Sequence, residues 1–194
     1  CDTGYWFAPN GDKHHPFRGL GLKVPTLRGM FVTLDELNPR LHVNVEIKNS
    51  PDTLGYDPGH RVAAALVSLV REMGVADRTI VSSFNPEAID RVKELDGEIR
   101  TAYLCAPWAD VHARMAYAVA RGHDAIHPHH ASMGPVDMAR RIVDVVHGAG
   151  LSVNVWTVND PERMRELATA GVDGIMTDDP GRLRAILETV RPPA

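Results

Sequence analysis

The chain has 194 residues, of which 44% are hydrophobic and 24% charged, and its formal net charge is −4. This composition is typical of a globular protein long enough to bury a sizeable core. The mild acidity and the scattered Lys and Arg residues argue against a nucleic-acid partner. No window approaches 18 consecutive apolar residues, so the sequence predicts no transmembrane segment.

The two cysteines, Cys1 and Cys105, lie far apart and make no disulfide framework. Cysteine usage therefore does not indicate whether the protein resides in an oxidising or a reducing compartment. Cys105 is predicted to be a core thiol because no base lies beside it in the sequence. The chain opens on Cys rather than Met. We expect it to begin inside a longer gene product; the alternative is that Cys1 is the lipid-modified first residue of a processed lipoprotein.

Residues 1–40 are rich in Gly, Pro and aromatic residues and predict a long irregular loop followed by a helix over 27–37. Thr26 is suited to cap that helix, which would end before Pro39. Loops of this length in compact domains are usually functional or held by their neighbours.

Six strand–helix units follow in regular order. Short β-branched strands are predicted over 41–48, 78–84, 98–104, 124–128, 151–158 and 172–177. Helices with apolar 3.6-residue spacing are predicted after them, over 61–73, 86–95, 110–121, 135–148, 161–170 and 180–190. Asn85–Pro86 and Asp160–Pro161 each place a capping side chain before a Pro at the first helical position.

Repeated βα units without a hairpin signal indicate a parallel sheet, which is either doubly wound or closed into a barrel. The GxGxxG turn that a dinucleotide-binding sheet would favour is absent. A (β/α)₈ barrel of about 250 residues would contain two more units than this chain. We therefore predict an α/β fold of the TIM (β/α)₈ barrel class, with about six βα units present and one domain over residues 1–194.

The strand VNVEIK carries the strongest chemical signal. Alternation along a strand places Glu46 and Lys48 on one face, at the end of the strand where barrels build their sites. Charges inside a parallel sheet must be paired, hydrated or coordinating a ligand. One interpretation is an ion pair between them that packs the barrel interior. The other is a hard-metal ligand, Glu46, beside a phosphate-binding cation, Lys48.

Other polar and aromatic residues follow later strands. Trp156 is either plain packing or an apolar wall for a small organic group such as glycerol. His127 lies nearest its strand and is predicted to reach the site. The neighbouring His129 and His130 are interpreted as exposed loop residues, because the spacing of the three histidines matches no structural zinc pattern.

Four segments together resemble the glycerophosphodiester phosphodiesterase family. They are KVPTL (23–27), VNVEIK (43–48), IVSSFNPEAI (80–89) and the block from WTVNDP to TDDP (156–180). The resemblance covers nearly the whole chain in the family's order, and the closing block is its most specific part. It implies a barrel hydrolase that cleaves glycerophosphodiesters to an alcohol and glycerol 3-phosphate, using a divalent cation, Ca²⁺ or Mg²⁺.

Matched position by position, the resemblance implies that Glu46 is a metal ligand and that Lys48 is a catalytic and substrate-binding residue at the phosphate. It also implies that Trp156 lines the glycerol side of the pocket. His127 is added as a substrate-binding residue because of its position near the strand end.

The family's other motifs are absent: His-Arg-Gly after the first strand, Glu-x-Asp on the second, and a following His-Asp pair. HRV at 60–62 is no substitute, because it begins a helix and lacks the Gly. The missing histidines serve the family as general acid and base, and the missing carboxylates as metal ligands. We therefore expect this chain to hold strands 3–8 of the barrel, to be N-terminally incomplete, and to be inactive without the remainder of a full-length hydrolase.

Two alternatives stay open. One is a non-catalytic barrel fragment that binds a phosphorylated ligand, or that pairs its open sheet edges with another chain or a second copy of itself. The other is a different phosphate-handling barrel enzyme. For the hydrolase, the expected partner is a small-molecule glycerophosphodiester. A cytoplasmic location is favoured over a secreted or lipid-anchored one.

Overall fold

The computed structural model describes residues 2–3 and 15–190, so Cys1 lies outside the described residues. The chain divides into two compact units, residues 1–41 and residues 42–194. The single domain over residues 1–194 stays a prediction.

The first unit contains helix α1, Leu27–Leu37, which has the predicted bounds. The side chain of Thr26 accepts a hydrogen bond from the backbone N–H of Gly29 at 3.1 Å, as expected for a capping threonine. The segment before the helix is held to the start of the chain, since the backbone N–H of Thr3 donates to the carbonyl of Leu22 at 2.8 Å.

The second unit is a parallel sheet with its helices. The strands are β1 (Val43–Glu46), β2 (Thr79–Ser83), β3 (Arg100–Cys105), β4 (Ala125–Pro128), β5 (Ser152–Val155) and β6 (Gly174–Ile175). The helices are α2 (Arg61–Met73), α3 (Pro86–Leu95), α4 (Val111–Arg121), α5 (Val136–Gly148), α6 (Pro161–Ala170) and α7 (Pro180–Leu187). The strands pair in chain order, β1 to β6, and every pairing is parallel. The sheet curls as half of a barrel, which confirms the predicted fold class.

Local side-chain chemistry explains where the helices begin and end. Asn85 caps α3 by accepting from the N–H of Glu87 at 3.1 Å, and Asp160 caps α6 by accepting from the N–H of Arg163 at 2.7 Å. Helix α2 ends at Gly74, whose φ of +66° is a conformation that a residue with a Cβ rarely adopts.

The core lies between the sheet and its helices. Ile126 of β4, Val153 of β5 and Leu167 of α6 are fully buried in one continuous apolar cluster. Cys105 is buried in the same cluster with a free thiol, which confirms the predicted core thiol, and burial raises its pKa to about 12.

A polar network fixes α4 to α3 and to the sheet. Asp90 of α3 accepts from the Tyr117 hydroxyl at 2.7 Å, from Arg121 Nε at 3.0 Å and from His123 Nε2 at 3.0 Å. The other ring nitrogen of His123 lies 2.9 Å from the hydroxyl of Thr101, on β3. The His123 side chain is fully buried, and this network gives both of its ring nitrogens a hydrogen-bond partner.

On the face of the sheet away from the helices, residues in register across the strands form a row of side chains. Glu46 pairs in register with Ser82, Ser82 with Ala102, Ala102 with Ala125, and Ala125 with Ser152. Because side chains alternate along each strand, these five residues project from the same face of the sheet. This row of the inner face carries small and polar side chains, whereas the opposite face packs on the helices.

Among the described residues, no helix combines the length and the apolar character that crossing a membrane requires.

Candidate functional site

The charged end of β1 forms the first part of the candidate site. Lys48 Nζ donates to Glu46 Oε1 at 2.8 Å, so both side chains lie on one face, as the alternation predicted. The ion pair that was one of the two interpretations is therefore present. Lys48 is nevertheless 79% exposed, and exposed pairs of this kind contribute about 1 kcal/mol or less. The ammonium group can therefore leave Glu46 for a more highly charged ligand.

A cavity of about 210 Å³ lies beside this pair. Its walls come from the end of β1, the loop that follows it and the end of β2, and they include Lys48, Thr53 and Phe84. The hydroxyl of Ser83 donates to the carbonyl of Ile47 at 2.7 Å, which holds the two strand ends together.

The loop after β1 is closed by side chains that sequence reasoning did not identify. Asn49 donates to the carbonyl of Asp57 and accepts from its N–H, each at 2.8 Å. The carbonyl of Asn49 accepts from Asn85 Nδ2 at 2.7 Å, which joins the loop to the start of α3. His60 ends the loop with a φ of +49°, an uncommon conformation for a side chain of this size. The loop is therefore held in place at the edge of the cavity.

Trp156 forms the apolar part of the candidate site. Its Nε1–H donates to the carbonyl of His127 at 2.7 Å, which fixes the indole at the end of β5. Phe84 contacts the indole edge-on, with ring centroids 5.5 Å apart, and His129 contacts it in the same manner at 4.9 Å. Residues from the ends of β2, β4 and β5 thus form one aromatic wall.

His127 is brought next to Trp156 but is fully buried. Its Nε2 lies 2.9 Å from Asn154 Nδ2, and its Nδ1 has no hydrogen-bond partner among the described residues. Burial, reinforced by the positive charge of Arg100, lowers the pKa of His127 to about 4. His127 is therefore a neutral imidazole near pH 7, and its carbonyl is the group that reaches the wall.

A metal site was predicted around Glu46. Its partner in register on β2, Ser82, has a buried hydroxyl without a hydrogen-bond partner among the described residues. However, the described part of the chain brings together no group of three or more His, Cys, Asp or Glu side chains that could hold a cation. Hard cations take six or more oxygen ligands. Glu46 is one candidate ligand, and these residues alone do not make the site.

Polar residues at the last strand end serve the local structure. Asn159 Oδ1 accepts from the Thr177 hydroxyl and from the N–H of Asp178, both at 3.0 Å, and Asn159 Nδ2 donates to the Asp178 carboxylate at 2.6 Å. These bonds tie the loop after β5 to the loop after β6.

Comparison with known proteins identifies the family to which this fold and sequence are similar. The profile of the glycerophosphoryl diester phosphodiesterase family matches residues 8–182. A glycerophosphodiester phosphodiesterase of Caldanaerobacter subterraneus subsp. tengcongensis is 29% identical over 168 residues, which are 84% of this chain and 61% of that protein. The chain thus spans less than two thirds of the length of this relative.

Solved structures agree on the fold. A glycerophosphodiester phosphodiesterase from Parabacteroides distasonis superposes with a TM-score of 0.69 at 26% identity, over 88% of this chain and 67% of that one. A phosphodiesterase from Oleispira antarctica, in complex with the product sn-glycerol-3-phosphate, superposes with a TM-score of 0.69 at 22% identity, over 84% of this chain and 61% of that one. With a family profile that matches most of its length, the chain belongs to the glycerophosphoryl diester phosphodiesterase family.

Proposed function

We propose that this chain carries the phosphate- and glycerol-binding part of a phosphodiester hydrolase that cleaves glycerophosphodiesters to an alcohol and sn-glycerol 3-phosphate. The observation that carries the proposal is the position of Phe84. This side chain lines the cavity that contains Lys48, and its ring also contacts Trp156. The Lys48 ammonium group and the aromatic wall are thereby joined at the carboxyl ends of the strands. This arrangement suits a ligand that is anionic at one end and has a carbon chain at the other.

In this proposal Lys48 has the catalytic role. Its ammonium group neutralises phosphoryl oxygens, whose charge has to be stabilised during phosphoryl transfer. The exchange is favourable because Lys48 leaves one exposed carboxylate, Glu46, for a ligand that carries more charge.

Trp156 has the substrate-binding role on the glycerol side. Its indole is held by the carbonyl of His127 and therefore presents a fixed apolar surface to the carbons of glycerol. Direct substrate contact by His127 remains a prediction. Because its ring is fully buried, the contribution that we assign to it is to position Trp156.

We further propose that Glu46 is one carboxylate ligand of a divalent cation, Ca²⁺ or Mg²⁺, whose remaining ligands lie outside the described residues. When bound, such a cation supplies Lewis-acid stabilisation of the phosphoryl oxygens. The roles of Lys48 and Trp156 do not require it, and the described residues do not complete its site.

The 194 residues contain none of the motifs that bear the family's acid and base histidines. Each positioned acid or base contributes roughly 10²–10⁴-fold to rate. We propose that the chain by itself binds the product and does not turn over substrate. The relatives named above do not favour a non-catalytic assembly fragment. A cytoplasmic location stays a prediction.

The Lys48→Met variant tests the assignment of the phosphate site. We expect it to weaken binding of sn-glycerol 3-phosphate by roughly 10- to 100-fold, because a charge-assisted hydrogen bond is lost. Isothermal titration calorimetry of the 194-residue chain measures the change. The matched control is Arg141→Met, which removes one exposed positive charge from α5 on the outer side of the sheet. Equal loss of affinity in the two variants would show that general charge, and not this site, holds the ligand.

A further inference from the structure

His129 occupies a fixed position at the edge of the aromatic wall. Its backbone N–H donates to the carbonyl of Cys105 at 3.0 Å, and the next residue, His130, donates to the carbonyl of Trp156 at 2.8 Å. His129 and Trp156 are partners in a parallel β-bridge just beyond β4 and β5. The backbone of His129 is therefore part of the sheet, although its sequence position indicated an exposed loop.

The ring of His129 extends the wall that Trp156 and Phe84 form. It contacts the indole edge-on at 4.9 Å, and Phe84 contacts the same indole at 5.5 Å. Of these three rings Phe84 has no polar atom, and the N–H of Trp156 is already bonded to the carbonyl of His127. His129 is consequently the ring in this wall that still has a polar atom to offer a ligand.

The hydrogen bonds of His129 determine which atom that is. Nδ1 accepts from the backbone N–H of Ala131 at 3.1 Å, so in the neutral ring the proton is on Nε2. Burial, together with the nearby ring of His130, lowers the pKa of His129, which keeps the ring neutral near pH 7. Nε2 forms no hydrogen bond to the described residues, and the side chain is partly exposed. It is a neutral N–H donor directed by a fixed backbone.

We propose that His129 is a further substrate-binding residue, whose Nε2–H donates a hydrogen bond to a hydroxyl oxygen of the glycerol group that lies on Trp156. This inference rests on the proposed function, and it adds a specificity determinant to the site. The apolar faces of Trp156 and Phe84 do not distinguish a polyol from a hydrocarbon of the same length. The His129 donor does, because a ligand that covers the wall without offering a hydroxyl leaves that donor unpaired.

Two ligands and two variants test this role. The ligands are sn-glycerol 3-phosphate and n-propyl phosphate, which has the same carbon chain without the hydroxyls. We expect His129→Ala to weaken binding of sn-glycerol 3-phosphate roughly tenfold and to change binding of n-propyl phosphate by less than about twofold. The matched control His130→Ala removes the adjacent imidazole and should change neither affinity, measured by calorimetry on chains whose circular dichroism matches the wild type.

The variant His129→Asn distinguishes loss of the N–H donor from a change in the conformation of the loop. An asparagine can accept from the N–H of Ala131 and still present an amide N–H, so it should recover part of the preference for the polyol. His129→Asp keeps only the acceptor and should not recover it. Equal effects of His129→Ala on both ligands, or none on either, would overturn the inference while leaving the Lys48 result intact. Failure of the wild type to bind either phosphate would overturn the proposed function and this inference with it.

Discussion

Replacing Asp90 by Ala is expected to lower the free energy of unfolding by about 3 kcal/mol, because it leaves polar partners without an acceptor inside the structure. Burial alone would raise the pKa of Asp90, but the hydrogen bonds from Arg121 and Tyr117 outweigh it and hold that pKa below its usual range. The carboxylate is therefore ionised, and it is the acceptor on which the Tyr117 hydroxyl and the fully buried His123 ring both depend.

The matched control is Glu94→Ala on the same helix. Glu94 pairs with Arg91 at 3.1 Å, and the two side chains are 56% and 41% exposed. Removing such a pair costs about 0.5 kcal/mol or less. Urea unfolding of the two variants and the wild type measures the difference. If Asp90→Ala were no less stable than Glu94→Ala, the network would not hold α4 against the sheet.

Acidification is expected to destabilise the fold through His127. The pKa of this histidine falls from 6.5 to about 4 on folding, so between these values the unfolded chain binds more protons than the folded one. The contribution of His127 to the free energy of unfolding is therefore fully present above about pH 6.5. As the pH falls toward 4, the free energy of unfolding decreases by about 3 kcal/mol in total. Burial lowers the pKa of His123 as well, against the attraction of Asp90, and this adds to the loss in the same direction.

Urea unfolding at about pH 7.5 and about pH 4.5 measures this loss, and His127→Gln should remove much of it. The control is Ile126→Val on the same strand, also at a fully buried position. It should cost roughly 0.5–1.5 kcal/mol at both pH values, because it removes a methylene group and no titrating group. A His127→Gln variant with the same pH dependence as the wild type would show that other groups govern acid unfolding.

The helices could be predicted closely because their signals are local. Thr26, Asn85 and Asp160 cap their helices through side-chain oxygens that reach two or three residues along the chain. Helices α1, α3 and α6 have the predicted bounds for this reason. Helix α2 also has the predicted bounds, although its start lacks a side-chain cap; its end is marked by Gly74. The strands are shorter than predicted. The expected strand over 172–177 is reduced to Gly174–Ile175. At its two ends, the N–H of Val172 donates to the carbonyl of Leu167 in α6 and the hydroxyl of Thr177 donates to Asn159.

Gly174 shows how a packing requirement stays hidden in a sequence. A Cβ at this position would meet the amide oxygen of Asn154 on the neighbouring strand, so a larger residue would require the Asn154 side chain, which lies against His127, to move. In the sequence the same glycine weakens the strand pattern, and nothing in it indicates that Asn154 will lie beside it.

The candidate site was predictable in part. Alternation along VNVEIK correctly placed Glu46 and Lys48 on one face, since this depends on a single strand. The aromatic wall could not be predicted, because its rings come from the ends of three strands that are far apart in the sequence. The same is true of the bond from Trp156 to the carbonyl of His127, and of the partly buried position of His129.

The most direct test of the account compares binding with turnover on the same preparation of the 194-residue chain. Calorimetry measures binding of sn-glycerol 3-phosphate, and a coupled assay measures its release from glycerophosphocholine in the presence of Ca²⁺ or Mg²⁺. We expect the product to bind through Lys48 and Trp156, and release to remain at the uncatalysed rate, since the histidines of the family's acid and base motifs are absent. Cation-dependent release that is lost in Lys48→Met would contradict the account, because residues of this chain would then supply the missing acid and base.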